Sequence, residues 1–359
     1  MNNIILKNSE AEQYVCAARK NFLCENALSN SDGKTVIVHF TDIHGDIKRY
    51  DNILELIGYI KPTFSVHTGD TAMWNTSNDC SFFASGARKS AFPVYNCPGN
   101  HDTFHDGGIN TNLDLYEMFV SGQKNIICDK TPYYYVDFKH EKLRLLVLCP
   151  YDFEHENPSL RDKYAVLQQQ TDWLVKTLED AAENHFGVII ASHETADFVG
   201  GGANSFGFCQ RFAPHPWGNP NIYPFVVEDI VDAFKNGGKA EKIYKYDNIN
   251  REVIANHTFT QKGEFICYLT GHRHGDFCGY LPYHAGQLYL CMTCSGCYPD
   301  GYHNIGEEIS DLPRIPGTVS EDAVNVYVVD RKNKTVSIAR FGAHINDMFE
   351  KRIFTVMKY

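Results

Sequence analysis

The sequence predicts an α/β fold in which buried strands lead into polar turns. Five short runs of apolar, β-branched and aromatic residues, bounded by glycine, proline or polar residues, have the composition of buried strands. These runs cover residues 35–40, 63–67, 92–96, 187–191 and 265–269. A short segment with Asp, Asn or His follows each run, and in a sheet with helical crossovers such segments gather at one edge. We therefore expect these polar side chains to meet at one site.

The first two strands and the helix between them form a predicted βαβ unit. Apolar residues recur with helical spacing from Ile47 to Ile57, and Gly58 and Pro62 then end the helix. The same kinds of pattern predict a hairpin, two further helices and three late strands. The hairpin is predicted at 133–138 and 143–149, and the helices at 164–184 and 225–234. The late strands are predicted at 287–293, 324–330 and 334–341.

Most of the 359-residue chain is predicted to form one domain. Residues 1–33 are expected to be a leader with one weak helical stretch at 11–23, and residues 346–359 a C-terminal tail. The domain itself covers residues 34–345. No repeat, low-complexity segment or shift in composition marks a linker inside it.

A long insertion, residues 197–224, interrupts this domain. It contains a run of three glycines and several aromatic residues. A loop of this length is typical either of a functional lid or of a surface insertion that packs on itself, and the sequence favours neither. In a lid, Phe206, Phe208 and Trp217 would be candidates for stacking on a flat group of a substrate.

The charge of the chain argues against polyanionic partners. It has 33 basic and 44 acidic residues, a net charge of −11, without a run of like charges. Such a protein repels nucleic acid and anionic membranes unless a local patch or bound cations reverse the field. No segment approaches the roughly 20 apolar residues that a transmembrane helix needs.

The twelve cysteines are predicted to be reduced thiols in a cytoplasmic protein. The N-terminal residues 1–7 lack the long apolar region of a signal peptide. Four cysteines, Cys97, Cys149, Cys267 and Cys291, lie in predicted core strands, where a thiol behaves as a small hydrophobic group.

The turns after the five strands carry the residue types of a two-metal hydrolytic centre. Asp42 and His44 are two residues apart in a segment expected to be extended, so both side chains should face the same side. The same reasoning applies to His272 and His274. Asp70 has two carboxylate oxygens and can bridge two cations about 3.5–4 Å apart. The turns are Asp42-Ile43-His44, Gly69-Asp70, Gly99-Asn100-His101-Asp102, Ser192-His193-Glu194 and Gly271-His272-Arg273-His274.

These segments resemble the motifs of the calcineurin-like metallophosphoesterase superfamily: Asp-x-His, Gly-Asp-x-x-Asp, Gly-Asn-His-Asp/Glu, a His, and Gly-His-x-His. The resemblance covers about residues 35–341 and implies a four-layer α/β/β/α sandwich of two mixed sheets flanked by helices. It also implies two metal sites that share one ligand. One site would be formed by Asp42, His44, Asp70 and His274, and the other by Asp70, Asn100, His193 and His272.

The resemblance further implies that His101 protonates the leaving oxygen or stabilises charge on the phosphoryl group. Members of the superfamily often have a second Asp, three residues after the bridging Asp, that orients this His. Met73 stands at that position here. Asp102, Asn75 and Asp79 are candidates to replace it, and Asp102 is therefore included with His101 among the catalytic residues.

The sequence thus leads to a dinuclear metal-dependent phosphoesterase acting on a phosphomonoester or phosphodiester. In this hypothesis a metal-bridging hydroxide attacks phosphorus and His101 is the proton donor. The mixed oxygen and nitrogen ligands suit Mn²⁺, Fe or Zn²⁺ better than Ca²⁺. The expected partner is a small phosphorylated substrate, with a nucleotide as one candidate, and Arg273 could reach its phosphate. The alternative, favoured by Met73, is a catalytically weakened metal-binding or interaction module on the same fold.

The sequence contains three further groups of candidate ligands. Cys291, Cys294 and Cys297 have the spacing of iron–sulfur or zinc ligands, although the rest of the chain favours hydrolysis over electron transfer. His39 and His67 lie within strands and are predicted to be core residues rather than ligands.

Overall fold

Two mixed β-sheets pack face to face, and helices cover the outer surface of each. The computed structural model describes residues 34–72, 77–105, 108–151, 165–194, 225–246, 250–272, 277–281, 286–292, 294–295, 322–342 and 355–359. The strands, in chain order, are β1 (Lys34–Phe40), β2 (Phe64–His67), β3 (Val94–Asn96), β4 (Phe104–His105), β5 (Gly108–Ile109), β6 (Ile126–Ile127), β7 (Tyr134–Phe138), β8 (Leu143–Val147), β9 (Gly187–Ala191), β10 (Lys239–Tyr246), β11 (Arg251–Thr258), β12 (Glu264–Thr270), β13 (Phe277–Tyr280), β14 (Leu288–Cys291), β15 (Ala323–Asp330), β16 (Thr335–Gly342) and β17 (Thr355–Lys358). The helices are α1 (Ile47–Ile60), α2 (Ser77–Lys89), α3 (Asn112–Leu115), α4 (Gln168–Glu183) and α5 (Val226–Asn236).

The first sheet has the strand order β17-β16-β15-β1-β2-β3. Its strands β1, β2 and β3 are parallel, with α1 and α2 in the connections between them. Strands β15, β16 and β17 continue the sheet in antiparallel pairs. Because parallel strands end at the same edge of a sheet, the loops after β1, β2 and β3 lie side by side.

The second sheet has the strand order β13-β14-β12-β9-β8-β7-β6. Its central strands β14, β12, β9 and β8 are parallel, and antiparallel strands complete both edges. The loops after β9 and β12 are therefore neighbours too. The antiparallel pair β10-β11 forms a separate two-stranded sheet near α4 and α5.

Three clusters of buried apolar side chains separate four layers. Strand alternation directs Ile37 of β1 between the sheets, and Val38 and Phe40 towards α1 and α2. In β8, Leu145 likewise lies between the sheets, whereas Leu146 packs towards α4 and α5. The predicted fold, a four-layer α/β/β/α sandwich of two mixed sheets flanked by helices, is confirmed.

Local signals in the sequence explain the boundaries of α1. The Asp46 side chain accepts a hydrogen bond from the backbone N of Arg49, at 3.1 Å, and so satisfies one of the free N–H groups of the first turn. At the other end Lys61 adopts a left-handed conformation with φ 53°, and Pro62 cannot continue the helix. The loop after β1 therefore leads directly into the N-terminus of α1.

The long helix begins later than the sequence pattern predicted. The prediction started it at residue 164, but α4 starts at Gln168. Residues 165 and 166 use their backbone N–H groups elsewhere, because Ala165 N donates to Pro150 O at 2.7 Å and Val166 N donates to the Tyr246 hydroxyl at 3.0 Å. Tertiary hydrogen bonds therefore replace the first predicted turn of the helix.

Several elements have no counterpart in the sequence-based prediction. They include α2 and the β10-β11 pair. The exposed face of this pair carries charged residues together with Ile243 and Ile254, while Ala240, Tyr244 and Tyr246 are buried. Strand β17 lies within the predicted tail, residues 346–359, and pairs with β16 to form the edge of the first sheet. The predicted leader helix at 11–23 lies outside the described residues.

None of the cysteines that the structure describes forms a disulfide bond. Cys97, Cys149, Cys267 and Cys291 are buried, as predicted from their position in core strands. Burial raises the pKa of Cys267, so these groups behave as neutral, apolar side chains.

None of the helices in the described part of the chain is long and apolar enough to cross a membrane. The longest of them, α4, has 16 residues, and a span requires roughly 20 predominantly apolar ones.

A cluster of charged groups joins the two sheets at the end opposite the ligand-bearing loops. Glu264, at the start of β12, accepts hydrogen bonds from Arg331 at 2.8 and 3.1 Å and from the Tyr359 hydroxyl at 3.1 Å. Lys334 Nζ lies 2.7 Å from Glu264 Oε1. Burial alone would raise the pKa of Glu264, but the hydrogen bonds from Arg331 and Lys334 lower it below its usual value.

Glu264→Gln should reduce the free energy of unfolding at pH 7 by about 1.5–3 kcal/mol, the usual contribution of a hydrogen bond to a charged group. A carboxyl group with a lowered pKa in the folded state stabilises the fold above its unfolded-state pKa and loses this effect as the pH falls. The difference between the two proteins should therefore shrink below about pH 4.3. Urea unfolding across a pH series measures it.

Glu252→Gln is the matched control, because Glu252 pairs with Lys245 on the exposed face of β10-β11. Exposed pairs contribute only about 0–1 kcal/mol. A Glu264 variant that resembles this control at every pH would contradict a stabilising role for the cluster.

Candidate metal centre

Three loops of the first sheet are joined to one another by hydrogen bonds. In the loop after β1, Asp42 N donates to Gly69 O at 2.9 Å and His44 N donates to Asp70 O at 3.0 Å. In the loop after β3, His101 N donates to the Asp70 carboxylate oxygen Oδ1 at 2.9 Å. The loop after β2, which carries Asp70, is therefore held from both sides.

The loops of the second sheet join this group. Gly271 N donates to His193 O at 3.1 Å, which links the loops after β9 and β12. Across the sheets, His193 Nδ1 hydrogen-bonds to Thr68 O at 2.6 Å, and His272 N donates to Asp42 Oδ2 at 3.1 Å. Segments more than 200 residues apart in sequence thus meet at one edge of the sandwich, as the strand pattern predicted.

Four of the predicted ligand residues adopt a left-handed backbone conformation that non-glycine residues rarely use. The φ angles are 53° for Asp42, 51° for His44, 56° for Asp70 and 67° for His272. This conformation costs a non-glycine residue about 1–2 kcal/mol. Backbone strain of this kind concentrates at functional sites, and here it coincides with the predicted ligands.

These angles correct one expectation from the sequence. Asp42 and His44 were expected to face the same side because they lie in an extended segment, but β1 ends at Phe40. A tight turn with two left-handed residues, rather than strand alternation, brings their side chains together, with His44 Nε2 3.6 Å from Asp42 Oδ1. His272 also lies beyond its strand with a positive φ, and His274 lies outside the described residues.

Four potential ligand atoms of the second predicted group converge. His193 Nε2 lies 3.2 Å from Asp70 Oδ2 and 3.0 Å from Asn100 Oδ1. His272 Nδ1 lies 3.0 Å from Asn100 Oδ1 and 3.2 Å from His193 Nε2. The structure thus brings together all four residues that the sequence assigned to this group.

The first predicted group shares the same carboxylate oxygen. His44 Nε2 and His101 Nε2 each lie 3.9 Å from Asp70 Oδ2, and Asp42 is fully buried beside them. The rings of His44 and His101 meet edge to face with centroids 4.9 Å apart. The His101 side chain is 20% exposed, which places it at the open side of the centre.

The potential ligand atoms of the second group fit a bound cation. His193 Nδ1 faces the carbonyl oxygen of Thr68, so this nitrogen carries a proton, and Nε2 is the nitrogen whose lone pair a metal ion could use. Asn100 Oδ1 and Asp70 Oδ2 also present lone pairs, all within about 3.2 Å of His193 Nε2. Such atoms repel one another unless a positive charge lies among them. A mixture of imidazole, amide and carboxylate ligands suits Mn²⁺, Fe or Zn²⁺.

The electrostatics of the buried residues lead to the same conclusion. Burial by itself would raise the pKa of Asp70, but His193, His101 and His44 hold it below its usual value. Burial likewise disfavours protonated His193, yet the Asp70 carboxylate raises the pKa of His193 to about 10. The negative charge that favours a proton at this position also favours a metal ion.

Asp102 joins the loops after β2 and β3 through hydrogen bonds to their backbone N–H groups. Its Oδ1 accepts hydrogen bonds from the backbone N of Thr71 at 2.9 Å and of Ala72 at 3.0 Å, and its Oδ2 accepts one from Gly99 N at 2.8 Å. Burial and the neighbouring Asp70 raise the pKa of Asp102. Because both oxygens face backbone donors, the structure favours a bracing role over the orientation of His101. The other two candidates for that role, the side chains of Asn75 and Asp79, lie outside the described part of the structure.

Two glycines permit the close approach of the loops. Gly69 has a φ of 98°, and a Cβ atom there would collide with the ring of His193. A Cβ at Gly99 would collide with the backbone N and the carboxylate of Asp70. The glycines of these two motifs therefore have a steric role.

The cysteine run after β14 supports the ligand loops from behind. Cys294 Sγ donates to Asp42 O at 2.9 Å and Cys291 Sγ to Gly271 O at 3.5 Å, and both residues are buried. A thiol that donates a hydrogen bond is protonated, whereas a cysteine metal ligand is a thiolate. The structure therefore favours a supporting role for these two residues. Cys297 lies outside the described residues.

The two strand histidines are core residues, as predicted. His39 and His67 are fully buried. His39 Nε2 lies 2.9 Å from Thr68 Oγ1, and His67 Nδ1 lies 2.5 Å from Asn96 Oδ1. Burial lowers the pKa of both imidazoles, that of His39 to about 3 and that of His67 to about 4, so both rings are neutral.

The sequence analysis assigned no role to two other groups at the centre. The Thr68 carbonyl contacts His193, and the Glu194 carboxylate lies beside His272, with Glu194 Oε2 3.5 Å from His272 Nε2. A backbone carbonyl leaves no trace in a sequence. Glu194 does belong to one of the five ligand-bearing turns, which was the available signal. Other predicted residues lie outside the described part of the chain, namely His274, Arg273, Met73, Phe206, Phe208 and Trp217, with the whole of 197–224.

Comparisons with known proteins bear on the family and the fold of this chain. A family model described as calcineurin-like phosphoesterase matches residues 35–276. Among solved structures, a dimetal phosphatase from Danio rerio aligns with a TM-score of 0.53 at 10% identity, over 91% of this chain and 100% of that chain. This likeness supports the fold.

Two looser alignments were also found among solved structures. The protein TT1561 from Thermus thermophilus aligns with a TM-score of 0.41 at 8% identity, over 90% of this chain and 98% of that one. A phosphatase from Mycoplasma pneumoniae aligns with a TM-score of 0.37 at 12% identity, over 89% and 97%. No curated protein sequence matches the chain.

Asp70→Ala should abolish binding of both metal ions, because its Oδ2 faces both ligand groups. His44→Ala should mainly weaken one ion, because His44 belongs to only one group. Elemental analysis after dialysis against Mn²⁺ measures the number of ions per chain. Asp172→Ala, on the exposed surface of α4, is the control and should keep both ions. Two ions still bound to the Asp70 variant would rule out the bridging assignment.

Proposed function

Because this chain belongs to the calcineurin-like phosphoesterase family, we propose that it hydrolyses a phosphate ester at the edge where the five loops meet. Membership of the family supports metal-dependent phosphoester hydrolysis in general. The observation that carries the proposal is the position of Asp70 Oδ2, which lies 3.2 Å from His193 Nε2 and 3.9 Å from both His44 Nε2 and His101 Nε2, and so belongs to both ligand groups. One carboxylate shared by two ligand groups is the arrangement that a two-metal centre requires.

The first ion would be held by Asp42, His44 and Asp70 together with His274. The second would be held by Asp70 with Asn100, His193 and His272. When bound, the two ions would supply Lewis acidity, which neutralises the phosphoryl oxygens and activates water. Mn²⁺, Fe and Zn²⁺ are the candidates that these ligands favour.

His101 would act as the proton donor to the leaving oxygen. Its backbone N is fixed by the bond to Asp70 Oδ1, and its partly exposed ring lies at the open side of the centre. The ring can therefore reach a substrate while its position relative to Asp70 stays constant. A proton on Nε2 would neutralise the alkoxide or phenoxide as the ester bond breaks.

The substrate would be a small phosphorylated molecule, either a monoester or a diester, with a nucleotide as one candidate. The net charge of −11 disfavours a nucleic acid. The groups around the metals, including Arg273 and the aromatic residues of 197–224, would select the substrate. The same chemistry serves both ester classes, and the surroundings of the centre decide between them.

The first test is an assay with nitrophenyl phosphate and its bis ester, with Mn²⁺ added. We expect hydrolysis of at least one ester, abolished by a chelator and restored by metal. Asp70→Ala is the inactive control. Two bound ions without turnover of either ester would instead favour the alternative of a metal-binding module, to which Met73 points.

His101→Ala should retain both ions and lose about 10²–10⁴-fold in kcat, the usual contribution of general acid–base catalysis. Esters with good leaving groups need no proton, so the loss should shrink as the leaving-group pKa falls. Rates for a series of aryl phosphates, together with metal content, measure this. An equal loss across the series would contradict the role as proton donor, and loss of an ion would make His101 a ligand.

A further inference from the structure

We propose that Glu194 is a positioning residue that holds His272 in the tautomer in which Nδ1 faces the metal. This inference rests on the proposed metal centre and adds a residue that neither the sequence motifs nor the comparisons assign. Glu194 follows His193 directly, and its carboxylate lies behind the ring of His272, on the side away from Asn100.

The two ring nitrogens of His272 have different surroundings. Nδ1 lies 3.0 Å from Asn100 Oδ1 and 3.2 Å from His193 Nε2, inside the ligand group. Nε2 lies 3.5 Å from Glu194 Oε2. A neutral imidazole carries one proton, and an ionised carboxylate only accepts hydrogen bonds. The carboxylate therefore favours the proton on Nε2, which leaves the Nδ1 lone pair for the metal.

Glu194 is itself held in place. The Tyr151 hydroxyl donates to Glu194 Oε1 at 2.5 Å, which leaves Oε2 towards His272. Tyr151 is 2% exposed and Glu194 is 7% exposed. Burying a carboxylate is costly unless it has hydrogen-bonding or charged partners. Tyr151 and His272 are such partners for Glu194. Tyr151, Glu194 and His272 form a chain that leads to the metal centre.

The neighbouring candidate ligand, His193, has the same arrangement with the two ring nitrogens exchanged. His193 presents Nε2 to the centre, and its Nδ1 faces the Thr68 carbonyl. Two histidines of one ligand group thus use different nitrogens, and each has an acceptor behind the other nitrogen. Such an acceptor typically contributes about 10–100-fold to metal affinity, because it orients the ring and makes the ligand more basic.

The test compares Glu194→Gln and Glu194→Leu with the wild type by calorimetric titration of the metal-free protein with Mn²⁺. Glu194→Leu should weaken one of the two ions by about 10–100-fold and leave the other unchanged. Glu194→Gln keeps the volume and an acceptor oxygen but loses the charge, so its effect should be smaller. Tyr151→Phe, which frees the carboxylate, should also weaken the same ion.

Glu179→Gln is the matched control, because Glu179 Oε2 lies 3.3 Å from His257 Nε2 in a partly exposed pair between α4 and β11. It makes the same chemical change in a carboxylate–imidazole pair outside the centre, and both ions should bind as in the wild type. Absorption spectra of Co²⁺-loaded proteins provide a second readout. Only the Glu194 and Tyr151 variants should change the bands of one ion.

A double variant separates positioning from direct ligation. In a His272→Ala background, Glu194→Leu should have no further effect on metal affinity if Glu194 acts through His272. A further loss would mean that Glu194 contacts the ion itself, and the proposal would be overturned. Equal weakening of both ions, or unchanged affinity for both, in the Glu194 variants would also overturn it. A wild-type protein that binds fewer than two ions would instead contradict the proposed function.

Discussion

The site depends on one carboxylate, that of Asp70. Its Oδ1 accepts the backbone N–H of His101, which ties the loop after β3 to the loop after β2. Its Oδ2 faces His193 at 3.2 Å, with His44 and His101 at 3.9 Å. Oδ1 therefore connects the loops, whereas Oδ2 belongs to the two groups of candidate metal ligands. Asp102 completes the arrangement, because its carboxylate takes up three backbone N–H groups of the two loops that carry Asp70 and His101.

The backbone around these side chains is strained, and the loops stabilise one another against that strain. Left-handed conformations at Asp42, His44, Asp70 and His272 each cost about 1–2 kcal/mol. Hydrogen bonds between the loops, each contributing about 0.5–1.5 kcal/mol, hold these conformations in place. No loop could keep this shape alone, since the partners of each turn lie in another loop. The ligand geometry is therefore a property of the assembled sandwich.

Two groups that the sequence did not assign, and Asp102, for which it predicted a different role, share a physical feature. Thr68 contributes a backbone carbonyl, Glu194 acts on a ligand rather than on the metal, and Asp102 faces three backbone donors. The chemistry of a side chain indicates that it can bind a metal, but not whether it faces a metal, another ligand or the backbone. The side chains of Asp42 and His44 come together as expected, but the extended conformation predicted for them was incorrect. Strand alternation applies within a strand, and these residues lie just beyond the end of β1.

The sequence by itself determined the fold class and the residue types of the centre. Buried strands with a polar turn at the end of each imply that the turns meet, because parallel strands end at one edge. The core positions of His39, His67 and four cysteines followed from the same pattern. Only the tertiary structure decided which atom of each residue faces the centre. That choice depends on contacts between loops that are distant in the chain. The loops after β9 and β12, for example, bring His193 and His272 together, although these residues are 79 positions apart. Local sequence carries no information about partners at such a distance.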